Sequence, residues 1–203
     1  MLDASSNEGW RGWHVPLSEG TRTLRQAHAT LQEFALQQRE IPLLVQLVEN
    51  PRFDLPGIEI FSGATELRPH DYIHIILGRG LLPKDEAFVL GFTMGSSNRV
   101  GGIEERLYTL IARYLYPTSY RFDDQDVQVY RDAVRLGYVS DCRSLAEVDF
   151  GPLLDLPLQR VRGELGIEED LLRAYYAIEQ RRYPRSIESA RLLAQAGAAP
   201  LGG

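Results

Sequence analysis

Apolar side chains return at three- and four-residue steps in one segment after another, and that spacing is the strongest constraint on the fold. Leu24, Ala27, His28, Leu31, Phe34 and Ala35 follow it, as do Ile103, Leu107, Leu110, Ile111 and Tyr114. Such spacing aligns side chains along one face of a helix, whereas a half-buried strand needs alternation in twos, which is weak throughout. The expected fold class is therefore mainly α: a single-domain helical protein of about seven to eight helices. Helices are expected over 21–38, 70–77, 83–96 and 103–115, from a cap at Asp123 or Asp124 to Leu136, and over 157–165, 168–181 and 186–196. A shorter apolar stretch from Ile41 to Val48 stops at Asn50-Pro51, because the residue before proline is pushed out of the helical region. Pro83 suits a first helical position, with Asp85 and Glu86 in a first turn that favours negative charge, and Gly137 suits a helix end. Residues 1–20 have turn chemistry and are expected to form an irregular arm, residues 21–196 one helical metal-binding domain, and residues 197–203 a flexible tail.

With 203 residues, 44% of them hydrophobic, the chain can bury a substantial core in one domain. A net charge of -6 and a pI near 5.3 give no reason to approach phosphate backbones, so nucleic acid is not an expected partner. The lone Cys142 has no internal disulfide partner and the N-terminus has no secretory pattern, which points to the cytoplasm. The longest apolar runs fall far short of the roughly 20 residues that span a bilayer. Membrane contact is therefore expected to be peripheral at most, on the inner face.

Chemistry concentrates in one short stretch. His70 and His74 share a helical face, separated by about 6 Å along the axis at a rise of roughly 1.5 Å per residue. Asp71 flanks that face, where it would bind a metal or orient a histidine. After eleven intervening residues and the turn Gly78-Arg79-Gly80, Glu86 falls in the first turn of the next helix and can fold back beside the histidines. Two ring nitrogens with one or two carboxylates suit a divalent ion in a site with an open position, with zinc as the first expectation and iron, manganese or magnesium as the others. A bare histidine pair is more often an ordinary surface pair; two adjoining acids strengthen the metal reading. His14 and His28 lack acidic neighbours in sequence and read as surface or packing residues. The dinucleotide fingerprint and the phosphate loop are both absent.

The pattern His70-Asp71-x-x-His74 followed after eleven residues by Glu86 resembles the signature of the coenzyme Q biosynthesis protein four family. The segment from Val148 through Pro152 to Pro157-Leu158 and Val161-Arg162-Gly163-Glu164-Leu165-Gly166 is similar to that family's C-terminal region, and the likeness extends over roughly residues 39–183. It implies a helical, peripherally membrane-associated protein of ubiquinone biosynthesis that works with other quinone-biosynthesis proteins. The implied activity is that of a lyase, a metal-dependent decarboxylase acting on a polyprenylated hydroxybenzoate, with no catalytic residue assigned. A non-catalytic scaffold that binds a prenyl lipid is the alternative. This chain has Gly78-Arg79 and Asp85-Glu86 where the family commonly has glycine-tyrosine and glycine-glutamate.

On that resemblance, the substrate-binding candidates are Arg79, which can meet a carboxylate or phosphate, and Phe88, Gly91, Phe92 and Gly95, which would wall a prenyl groove together with the helix over 103–115. The competing readings are an exposed turn arginine at 79 and tight helix packing at the two glycines. Glycine costs up to about 1 kcal/mol in a helix interior, so a pair of them implies that side-chain volume is being kept out. The segment 186–196 is amphipathic and offers a surface for a homodimer or a membrane.

Overall fold

The computed structural model describes residues 9–37, 67–97 and 122–193. Within them the chain is helical: α1 (Gly9–Gly12), α2 (Leu24–Gln37), α3 (Leu67–Leu77), α4 (Pro83–Ser96), α5 (Asp124–Val139), α6 (Leu158–Leu165), α7 (Glu169–Arg182) and α8 (Ile187–Arg191), with 3-10 turns at Leu145–Glu147 and Gly151–Leu153. The expected mainly α class is what the structure shows. Among the described residues, extended pairing amounts to an isolated bridge between Thr23 and Pro157. The expected helix over 103–115 and the stretch Ile41–Val48 lie outside the described residues, as do the end of the expected helix over 186–196 and the expected tail over 197–203.

Helix α3 ends for a reason visible in its last turn. Gly78 takes a φ of 70°, its N–H bonds the Ile75 carbonyl at 3.1 Å, and the Arg79 N–H bonds the His74 carbonyl at 2.9 Å. That pair of bonds around a left-handed glycine closes the helix and turns the chain toward α4. Two further carbonyls of the last turn find distant donors, with Arg162 Nε on Ile76 at 2.9 Å and the Tyr176 hydroxyl on Leu77 at 2.5 Å. Orphan carbonyls at a buried helix end need such partners.

Helix α4 starts at Pro83, and the Asp85 carboxylate accepts from the Leu82 N–H at 3.2 Å. It is buried on nearly every side, as expected of a helix apolar all round. Helix α5 crosses it closely. A methyl group added at Gly91 or Gly95 would overlap the α5 carbonyls of Tyr130 or Val134, and one at Gly137 would overlap the Phe92 carbonyl and lie 2.9 Å from the Ser96 nitrogen. Asp123 caps α5, accepting from the N–H groups of Gln125 and Asp126 at 2.7 and 2.8 Å. The helix does not end at Gly137 but continues to Val139, because Gly137 serves the crossing with α4 rather than a terminus.

Ile73, Ile75 and Ile76 of α3, Phe88 and Phe92 of α4, Val161 and Leu165 of α6, and Leu172 and Tyr176 of α7 share one core. The N-terminal segment belongs to it as well. Residues 13–20 are non-helical, but Trp13, Val15 and Leu17 are buried within the core instead of hanging off it as an arm. Burying each such side chain contributes about 1.5–3 kcal/mol, which is ample reason for an irregular segment to be held down.

Candidate metal centre

The Gly78 turn folds α4 back so that its first turn faces the last turns of α3. Three side chains meet there. His70 Nε2 lies 3.1 Å from Glu86 Oε1, His74 Nε2 lies 3.1 Å from Glu86 Oε2, and the two ring nitrogens are 2.8 Å apart. All three residues are buried, and one ligand atom from each lies within 4.8 Å of the others. The second ring nitrogen of His74, Nδ1, is 2.6 Å from the Gly80 carbonyl. A carbonyl can only accept, so Nδ1 carries a proton and Nε2 is the nitrogen that faces the cluster.

This donor set fits a divalent ion. Bonds of about 2.0–2.1 Å in a tetrahedral array set donor separations near 3.3 Å, slightly wider than the triangle seen here. Two imidazole nitrogens 2.8 Å apart beside a carboxylate need a proton or a metal among them. Burial, the largest influence, pushes the Glu86 carboxyl up, but the charges and hydrogen bonds of His70 and His74 outweigh it and hold the carboxyl below its ordinary range. For His74 burial pushes the other way, and the Glu86 hydrogen bond and charge, helped by Asp71 and Asp85, leave its pKa raised. The cluster therefore attracts positive charge. A divalent ion held by these three side chains would have fewer protein ligands than the four of a closed structural zinc site.

The remaining candidates go elsewhere. Asp71 lies outside the donor triangle: its carboxylate pairs with His28 Nε2 at 3.1 Å. His28, buried and edge-on to the Tyr72 ring at 4.8 Å, thus has an acidic neighbour in space that it lacks in sequence. His14 is half-buried, and burial together with the nearby Arg191 pushes it below its ordinary value.

Arg79 is neither an exposed turn residue nor placed to meet a ligand's anion. It is fully buried, forks onto both oxygens of Glu179 at 3.0 and 2.6 Å, and lies 3.9 Å from the Phe88 ring centre and 4.3 Å from that of Tyr176. Phe88 also stacks on Phe92 and Tyr175, so both phenylalanines are core residues. Gly91 and Gly95 are occupied by α5, which assigns the small-residue face to helix packing, and the other expected wall, over 103–115, lies outside the described residues.

Sequence spacing missed four participants. Gly80 acts through its backbone carbonyl, which no residue type reveals, while His28, Glu179 and Arg191 reach the region from more than 40 residues away along the chain. Helical periodicity in α2, α7 and α8 was the signal that could have pointed to His28, Glu179 and Arg191. No family model, curated protein or solved structure matches the chain. Fold and site together define a helical protein with a buried histidine–carboxylate centre able to hold a metal ion.

Proposed function

We propose that the chain is a divalent-metal protein of quinone biosynthesis that binds a polyprenylated hydroxybenzoate and supports loss of its ring carboxyl. The observation that carries this reading is the convergence of His70, His74 and Glu86, whose spacing is also the residue pattern behind the family resemblance. Zinc is the ion that the two nitrogens and one carboxylate suit best.

When bound, the ion supplies Lewis acidity toward a substrate oxygen. The chain's own part is to hold and shield that position. His74 is fixed in one tautomer by Gly80, Glu86 keeps its negative charge, and burial of all three ligands excludes bulk water, which strengthens every electrostatic interaction inside. In the reaction the bond from ring carbon to carboxyl carbon breaks, its electron pair stays on the ring, carbon dioxide leaves and the ring carbon takes up a proton from water. No helix among the described residues is long and apolar enough to cross a membrane, consistent with peripheral access to a prenylated substrate.

Native mass spectrometry of the full chain, followed by analysis of extracted lipid, tests the proposal. The expected result is one divalent ion per chain, a co-purified prenylated ring compound, and loss of the ion in His70→Ala and His74→Ala with the helical circular dichroism signal nearly unchanged. Full metal retention in both variants would remove the centre. A loaded protein that binds a prenyl lipid yet leaves the ring carboxyl in place would reduce the function to that of a scaffold.

A further inference from the structure

The turn between α3 and α4 is gripped from outside. Gly80, whose carbonyl accepts from His74 Nδ1, has no room for a side chain, since an added methyl would overlap the Arg191 guanidinium and the Trp13 carbonyl. Arg191 comes from α8, at the far end of the described chain. Its Nη2 donates to Asp85 Oδ2 and its Nη1 donates to the Arg11 carbonyl. Asp85 is wholly buried, immediately precedes Glu86, and accepts through the same oxygen from the Leu82 N–H that opens α4. One guanidinium therefore backs the peptide that orients His74 and ties down the helical turn that carries Glu86. Helix α8 is itself docked, with Ser189 Oγ donating to Glu179 Oε1 at 2.9 Å and Leu192 buried.

We propose that Arg191 is the positioning residue of the metal centre: by bridging Asp85 and the Arg11 carbonyl behind Gly80, it sets the geometry in which His74 and Glu86 meet the ion. This deepens the metal reading and rests on it. Arg191 touches no ligand atom; it acts on His74 through the Gly80 peptide and on Glu86 through Asp85. Partners that orient ligands in this way commonly change metal affinity by about 10–100-fold when removed. The planar fork is required because two acceptors in different segments must be met at once, which a lysine ammonium matches poorly.

The test uses the full-length apoprotein and cobalt(II), whose visible spectrum reports ligand geometry, with zinc competition for affinity. Arg191→Ala is expected to weaken cobalt binding by about 10–100-fold and to alter the spectrum, with partial recovery in Arg191→Lys. Ser189→Ala, which loosens α8 at a different point, is expected to keep the unmodified spectrum. If Arg191→Ala does not fold, Asp85→Asn takes the carboxylate charge out of the same link, leaving one neutral oxygen to serve both Arg191 and Leu82, and a loss of affinity in the same direction is expected. Unmodified affinity and spectrum in folded Arg191→Ala, or in Asp85→Asn in its place, overturn the positioning role and leave the metal centre standing. Absence of cobalt and zinc binding in the unmodified chain overturns both.

Discussion

His74 and Arg79 are five residues apart on either side of one turn, and each enters a buried polar cluster of opposite character. Around Arg79 the charges cancel: its fork meets both Glu179 oxygens, Ser189 donates a further hydrogen bond to the same carboxylate, and the Phe88 and Tyr176 rings lie close to the guanidinium. Around His74 they do not. Two ring nitrogens and a carboxylate converge, all able to accept and none carrying a fixed positive charge. The first cluster holds its own counter-charge, although Arg79 Nε is buried without a hydrogen-bond partner; the second needs a proton or a metal ion between its acceptors. Burial alone does not mark a functional site, because both clusters are buried. What separates them is that Arg79 and Glu179 carry opposite charges, whereas His70, His74 and Glu86 among themselves carry no fixed positive one.

The sharpest way to break this contrast is to open the closed cluster. Arg79→Ala leaves Glu179 buried without its counter-charge, and such a loss costs about 3–5 kcal/mol, a large share of the roughly 5–15 kcal/mol that holds a domain folded. Urea unfolding should show the drop. The paired change Arg79→Met with Glu179→Leu should cost less than Arg79→Ala alone, since no charge is then stranded. A paired variant as unstable as Arg79→Ala would mean that the ion pair is worth more than its removal as a unit suggests.

The open cluster should respond to metal, and here the expected effect is somewhat smaller. A ligand that binds only the folded state at 100 times its dissociation constant stabilises by about 2.7 kcal/mol. Zinc at that excess should raise the unfolding free energy of the unmodified chain and of a folded Arg79→Met/Glu179→Leu variant alike, and a chelator should reverse the gain. His74→Ala should show no zinc-dependent gain. Equal zinc stabilisation in His74→Ala would place the ion elsewhere.

The two clusters also differ in how far the sequence reveals them. The open one is local. His70, His74 and Glu86 fall within seventeen residues, so helical spacing and a glycine turn are enough to bring them together, and the helices that carry them were legible from apolar periodicity and from Pro83. The closed one joins residues 100 apart, and from sequence Arg79 looks like an ordinary turn arginine. The same limit hid the Asp85–Arg191 link, across 106 positions, and the burial of Trp13, Val15 and Leu17, whose irregular segment has no period to read. Gly91 and Gly95 did signal a close approach, but whether a helix or a lipid tail makes it depends on where α5 packs, and that is settled only in three dimensions.

The edge of the open cluster gives the smallest expected effect, at Asp71. Adjacent to His70 in sequence, it has the residue type of a ligand, yet its carboxylate pairs with His28 at 3.1 Å and its side chain keeps 29% of its surface in water. A part-buried pair whose carboxylate keeps that much contact with water contributes modestly to stability, about 1 kcal/mol. Its negative charge is still felt at His74, where it helps to raise the ring's pKa, so its influence on the centre is electrostatic rather than coordinative. Neutralising it in Asp71→Asn keeps the shape, and the amide oxygen can still accept from His28. Zinc stoichiometry should therefore stay at that of the unmodified chain, with affinity lowered by no more than about tenfold, the lower end for groups that act on a metal from outside its ligand set. Competition titration with a zinc chelator measures this directly. A loss far beyond a hundredfold would make Asp71 a ligand, and would mean that the carboxylate leaves His28 when the ion binds.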